Sequence, residues 1–239
     1  MTSAVPEQHI TIVKKNTEYD IPPEYINKRA LFMGMELYVD ERVLVPRPET
    51  ELLVNEAARY MDNGAKRVLE VGVGSGAISL ALAKRFRDIH FVAVDISSDA
   101  LDVFNINQER YPQYGISAVR SDLAVCFKPN VFDVICANLP YVERGYLRDH
   151  TELSVEPLTA LDGGNDGLDV IRRLLIDLTC LKPNGEVFLE IGYLHKIPLI
   201  EFLDSLPSVE FRACVKDPAG YDRVFILKKK GSQNDKVTV

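Results

Sequence analysis

The sequence predicts an α/β protein: a doubly wound sheet of seven strands, preceded by a short β-hairpin. Three observations carry this. Apolar runs of strand length, rich in β-branched residues, recur along the chain, among them Arg67 to Val71, Phe91 to Asp95 and Val131 to Ala137. Helical patterns alternate with them from Val68 onward, as parallel strands joined by right-handed crossovers require. The first run ends in closely spaced glycines, Gly72, Gly74 and Gly76, that lead directly into a helical pattern.

Residues 1–30 form a short polar segment without long periodicity, and Pro22-Pro23 would interrupt a helix there. Residues 31–48 hold the hairpin and a proline-rich loop. Phe32 to Val45 alternates as two short strands with Asp40-Glu41 at the turn, and Pro46-Arg47-Pro48 keeps the following loop extended. Residues 49–230 read as one domain. It opens with a helix from about Thr50 to Met61, with Leu53, Ala57 and Tyr60 on one face and Glu49 and Glu51 suited to its positive amino end. After the strand to Val71, the helix from Ala77 and the strand to Asp95, a helix opens on Ser97-Ser98-Asp99, all good caps. Ala118 to Arg120 is the third strand and Val131 to Ala137 the fourth. Val142 to Gly167 is long and loop-like, carries Glu143, Asp149, Glu152 and Glu156, and is of a length usually kept for function. A helix from Asp166 to Leu181, a tight turn at Lys182 to Gly185, a strand from Glu186 to Ile191, a helix from Lys196 to Leu206 and strands at Val209 to Val215 and Arg223 to Leu227 complete the domain. The charged and polar tail, 231–239, reads as a frayed end.

Chemistry concentrates where the fourth strand ends. Asn138-Leu139-Pro140-Tyr141 follows it directly, at the carboxyl end of the sheet where ligands of such folds sit. An Asn side chain offers both an acceptor and a donor to a planar amide, and Pro140 fixes the direction of the neighbouring carbonyls. Tyr141 adds a ring face, so the four residues form a clamp for a flat nitrogen centre. The plainer alternative is a polar turn after a strand. The glycine turn, Glu70-Val71-Gly72-Val73-Gly74-Ser75-Gly76, lets backbone approach a nucleotide-type cofactor closely, with free N–H groups at the helix start. Asp95-Ile96, at the end of the second strand, places a carboxylate for ribose hydroxyls. Both features also satisfy a dinucleotide fingerprint. The clamp favours transfer to nitrogen over hydride transfer.

These motifs together resemble class I S-adenosylmethionine-dependent methyltransferases that act on an amide or amino nitrogen. Val43 to Glu51 with its Pro-Arg-Pro-Glu-Thr core, Glu156 to Leu168, Leu189-Glu190-Ile191-Gly192 and Ala219 to Val224 narrow the resemblance to the HemK/PrmC family, over about Phe32 to Leu227. That resemblance implies a Rossmann-like, mostly parallel sheet whose final strand runs antiparallel. It implies S-adenosylmethionine as cofactor, held by Glu70, Gly72, Val73, Gly74, Ser75, Gly76, Asp95, Ile96, Asp122, Leu123 and Asn138, with Asp122 accepting from the adenine amino group. It implies a protein acceptor, the glutamine amide of the Gly-Gly-Gln motif of a peptide chain release factor. Asn138, Pro140 and Tyr141 would be catalytic, and Arg47, Pro48, Glu49, Thr50, Asn138, Leu139, Pro140, Tyr141 and Glu156 would meet the substrate. Without the resemblance, Arg47 and Glu49 read as cap and surface charge and Asp122 as a loop cap. Members of the family usually carry a helical domain before the Pro-Arg-Pro segment, where this chain has room for a helical turn or two.

A net charge of −7 argues against a partner held mainly by its phosphates, hence against nucleic acid. No run reaches membrane-spanning length, and residues 1–20 lack the design of a signal peptide. Cys126, Cys136, Cys180 and Cys214 are scattered, as in a cytoplasmic protein with reduced thiols, and His9, His90, His150 and His195 are isolated, so no metal site is expected. The alternatives are a methyltransferase of this fold acting on a small-molecule amine, another protein or a nucleobase, a nicotinamide-dependent oxidoreductase, and a non-catalytic cofactor-binding partner.

Overall fold

The structure, a computed structural model, describes residues 21–231. The expectations for residues 1–20, His9 among them, and for the tail beyond 231 lie outside the described residues.

In chain order the elements are α1 (Pro23–Ile26), β1 (Ala30–Phe32), β2 (Met35–Leu37), α2 (Thr50–Met61), β3 (Arg67–Val71), α3 (Ala77–Arg85), β4 (His90–Asp95), α4 (Ser98–Arg110), β5 (Ser117–Arg120), β6 (Phe132–Ala137), α5 (Arg144–Asp149), α6 (Leu158–Leu161), α7 (Asp169–Ile176), β7 (Leu181–Glu190), α8 (Lys196–Leu203), β8 (Val209–Lys216) and β9 (Asp222–Lys229). Strands β3 to β9 make one seven-stranded sheet in the order β5-β4-β3-β6-β7-β9-β8. All run parallel except β9, which is antiparallel to both of its neighbours.

Both faces of the sheet are covered, which is why its central strands are apolar at nearly every position. Val68, Val134, Cys136 and Phe188 face α2 and α3 through Leu53, Ala57, Leu80 and Leu82. Leu69, Ile135, Ala137, Val187 and Leu189 point the other way, into a second cluster with Leu174, Leu175 and Leu199 of α7 and α8. Because side chains alternate along a strand, Glu70, Asn138 and Glu190 all fall on the α2 side, at the carboxyl ends of β3, β6 and β7.

The hairpin differs from expectation. Its turn is Met33-Gly34, not Asp40-Glu41, with both residues at positive φ, 49° and 67°. A two-residue connection with that conformation matches the twist of paired strands. Asp40 is instead consumed locally, accepting from Arg42 Nε at 2.9 Å and from the Tyr38 hydroxyl at 2.8 Å. Pro22-Pro23 opens α1, with Pro at its first position, where a missing N–H costs nothing. The segment 142–167 is more ordered than a plain loop: α5, a 3-10 turn over Thr151–Val155 and α6, tied back by a bridge from Val142 to Asp162. The helix expected over Asp166 to Leu181 is confined to α7. Residues 182–185 stand out of β7 as a loop within the strand, since Leu181 pairs with Phe132 and Glu186 with Val134.

Candidate functional site

Strand order reverses between β3 and β6, and the crevice outside their carboxyl ends is where a fold of this kind binds ligands. A cavity of about 300 Å³ lies there. Gly72, Gly74, Asp95 and Asn138 line it, as do Arg47 from the proline-rich strap and Thr50 from the start of α2.

The glycine turn forms its floor. Gly72, Gly74 and Gly76 all have positive φ, and a Cβ at Gly76 would stand 2.7 Å from the Phe104 ring, so α3 and α4 can meet only over a glycine. Gly72 and Val73 donate to the Val94 carbonyl, binding the turn to β4. Asp95 accepts from Gly74 N at 3.0 Å through one oxygen and from Ser97 N at 2.9 Å through the other. Burial raises its pKa against these bonds. Glu70 is buried below the turn, where its carboxyl accepts from Ser79 N at 2.9 Å and burial, with the Asp95 charge beside it, pushes its pKa up to about 8.

The clamp residue Asn138 donates from Nδ2 to Thr50 Oγ1 at 3.2 Å, and among the described residues no protein donor reaches its Oδ1. Thr50 donates in turn to Glu190 at 2.6 Å, and the Tyr141 hydroxyl donates to the other Glu190 oxygen at 3.0 Å. Leu139 and Pro140 line the cavity. Tyr141 stands behind them, its ring edge-on to His195. Burial raises the pKa of Glu190 and also of Tyr141, whose phenol faces that carboxylate.

Arg47 and Glu156, on separate segments, are paired with each other. Glu156 is buried and accepts from Arg47, from Val45 N at 3.1 Å and from the Tyr25 hydroxyl at 3.5 Å. The pair pins the Pro-Arg-Pro strap to the segment before α6. Pro48 and Glu49 are exposed at the start of α2, outside the cavity lining. Ile96, Asp122 and Leu123 line the far end, where Asp122 accepts from Arg173 Nη2 at 2.6 Å. The Ser121 hydroxyl there is buried and has no partner among the described residues.

Glu190 and Arg173 were not among the expected site residues. Glu190 could have been found: like Glu70 and Asp95, it is a carboxylate closing an apolar run at the carboxyl end of a strand, here next to β6. Nothing in the sequence signalled Arg173. Among the described residues no cluster of three metal-ligating side chains occurs, and no helix is long and apolar enough to cross a membrane.

The cavity's donors and acceptors suit S-adenosylmethionine. The glycine turn leaves backbone bare for close approach, Asp95 keeps lone pairs for further hydroxyl donors, and the buried Ser121 hydroxyl, without a partner among the described residues, can meet a polar group of the ligand.

Comparison with known proteins bears on this arrangement. A family described as methyltransferase domain matches residues 68–152. The release factor glutamine methyltransferase of Streptococcus pneumoniae is 40% identical over 215 residues, covering 86% of this chain and 74% of that protein. The ribosomal protein uL3 glutamine methyltransferase of Francisella tularensis is 36% identical over 192 residues, 78% of this chain and 61% of that one. In fold, a methyltransferase from Pyrococcus furiosus superposes with a TM-score of 0.61 at 22% identity, over 87% of this chain and 94% of its own.

Proposed function

Since this chain belongs to the HemK/PrmC family of protein glutamine methyltransferases, we propose that it methylates the side-chain amide nitrogen of a glutamine in a protein, in the first place the Gly-Gly-Gln motif of a peptide chain release factor. The observation that carries this reading is Asn138, which meets the cavity with its amide nitrogen already committed to Thr50 and its oxygen without a protein donor.

S-adenosylmethionine supplies a sulfonium whose methyl carbon is electrophilic. Asp95 would hold its ribose, the segment from Ser121 to Leu123 its adenine, and the turn from Glu70 to Gly76, with Ile96, the remainder. The other demands fall on the acceptor. An amide nitrogen is a poor nucleophile because its lone pair is delocalised into the carbonyl. Asn138 Oδ1 and the backbone carbonyl of Leu139 or Pro140 accept from its two N–H groups, orienting the nitrogen and favouring its pyramidal form. Tyr141 supports the clamp from behind. Alignment of this kind supplies roughly 7 to 11 kcal/mol in favourable systems. No side chain in the cavity is placed as an obvious general base, so the proton leaves to water.

In this reading residues 49–230 are the catalytic domain and 31–48 its flap, with Arg47 and Glu156 framing the acceptor's path beside Thr50, Pro48 and Glu49. The compartment is the cytoplasm, where the thiols stay reduced. A ribosomal protein is the second candidate acceptor, favoured by the likeness to the Francisella tularensis protein.

The test is mass spectrometry of a purified release factor, and in parallel of ribosomal protein uL3, after incubation with this protein and S-adenosylmethionine, with Asn138→Ala as control. One methyl group on the Gly-Gly-Gln glutamine, absent with the variant, is expected. An unmodified release factor beside a methylated ribosomal protein would reassign the acceptor.

A further inference from the structure

The family match assigns nothing to the carboxylate at the end of β7, and the clamp as read above does not explain why its Asn stands one way round. We infer that Glu190 is a positioning residue that dictates, through Thr50, which end of the Asn138 amide faces the acceptor. This rests on the reading of Asn138 as the clamp.

The two orientations of an Asn amide have the same shape, so only the polarity of its neighbours can choose between them. A hydroxyl has one proton to give. Thr50 spends its proton on Glu190 Oε2 at 2.6 Å, and Tyr141 spends its own on Oε1 at 3.0 Å. Thr50 therefore shows Asn138 lone pairs alone, and the amide must turn its NH2 towards Thr50, as found at 3.2 Å. Oδ1 is then delivered to the cavity as an acceptor. With the amide reversed, its NH2 would meet the NH2 of the substrate glutamine, donor against donor, and the clamp would repel what it has to hold.

The fold places the three groups together for a simple reason. Ala137 of β6 pairs with Leu189 of β7, so Asn138 and Glu190 are the next residues of adjacent strands and share one face. Thr50 is the first residue of α2, which packs over that face. A carboxylate 1% exposed at the end of the apolar run Val187 to Leu189 is costly to bury and makes no direct ion pair among the described residues. Arg223 offsets part of its charge from a distance, and Glu49 opposes it. A core-filling role would be served better by an apolar side chain. A relay that fixes polarity needs a group that only accepts, as both Glu190 oxygens do here.

Five variants and one spectrum decide the matter. Thr50→Val, which keeps shape and loses the hydroxyl, is expected to lower kcat roughly 10- to 100-fold while cofactor Kd by calorimetry stays within about twofold, and Thr50→Ser to restore most of the loss. Asn138→Asp sets a carboxylate against the lone pairs of Thr50 and should cost about 100-fold. Adding Glu190→Gln lets the new amide donate to Thr50 and frees the Thr50 proton for that carboxylate, so the double variant is expected to exceed Asn138→Asp alone by roughly tenfold. Glu190→Gln alone completes the cycle, and a role in fold stability alone would make its loss and that of Asn138→Asp multiply. Independently of any acceptor, the Asn138 side-chain NH2 resonances of 15N-labelled protein should exchange slowly with solvent in the wild type and rapidly in Thr50→Val. Unchanged exchange in that variant, a Thr50→Val enzyme with wild-type kcat, or strictly multiplicative losses would each overturn the relay. A wild-type protein that leaves release factor unmodified would refute the acceptor instead, and the exchange measurement would still decide the relay.

Discussion

Glu70 and Asp95 lie at the carboxyl ends of neighbouring strands, and burial raises the pKa of both. The Glu70 carboxyl, ordinarily near 4.5, is pushed up to about 8. Below about 4.5 it is protonated in folded and unfolded chains alike. Between there and about 8 the folded protein keeps a proton the unfolded chain has lost, so stability falls as pH rises through that window. Glu70→Gln keeps an acceptor for Ser79 N and carries no charge to desolvate. Urea denaturation at pH 5 and pH 8 should therefore show the wild type losing on the order of a few kcal/mol more than the variant over that interval. Asp95→Ala is expected to weaken S-adenosylmethionine binding at least tenfold in calorimetry, and unchanged affinity would place the ribose elsewhere. Asn138→Ala should abolish methyl transfer while cofactor binding stays measurable; a fully active variant would end the clamp reading. These residues were legible because each closes an apolar run that could only be an inner strand. Thr50 and Glu190 were not legible as partners, since 140 positions separate them and only the closed sheet brings α2 over the end of β7.

Among the elements, the strap from Tyr38 to Arg47 carries the clearest test. It is fastened by Glu156, which accepts from Arg47, Val45 N and Tyr25, and by Val43 and Val45 packing with Ala100 and Val103 of α4. Glu156→Ala leaves a buried N–H and a guanidinium without their acceptor, a loss of about 1 to 3 kcal/mol. The expected outcome is faster proteolysis within 38–47 and several-fold weaker cofactor binding. Protection and affinity equal to the wild type would mean that packing alone holds the strap. Gly76→Ala tests the contact between α3 and α4: at φ +84, with a Cβ 2.7 Å from Phe104, it should lower stability by about 1 to 3 kcal/mol, read by thermal denaturation. Helix α2 and strands β3, β4 and β6 could be read from period alone. The hairpin turn could not, because Met33 gives no sign of accepting a positive φ, and a polar Asp40-Glu41 resembled a turn while Asp40 was serving Arg42. The helices within 142–167 are too short for a period to declare itself.

At the scale of the whole molecule, the strand order places the site. Alternation implied the doubly wound sheet and the family resemblance implied the reversed last strand, whereas the order itself, set by pairing between strands distant in the chain, was not legible. Ligand binding should stabilise the entire domain. S-adenosylmethionine at 100 times its Kd is expected to add about 2.7 kcal/mol, seen as a raised midpoint in thermal denaturation, and Asp95→Ala should lose most of that gain at the same concentration. The reversal of β9 also bears on how the protein is made. This strand is the last of the described strands in sequence and yet lies inside the sheet, between β7 and β8, with Phe225 and Leu227 fully buried. During synthesis, β7 and β8 must therefore wait with open edges until residues 222–229 emerge. Until then the nascent sheet is exposed to strand-by-strand misassociation.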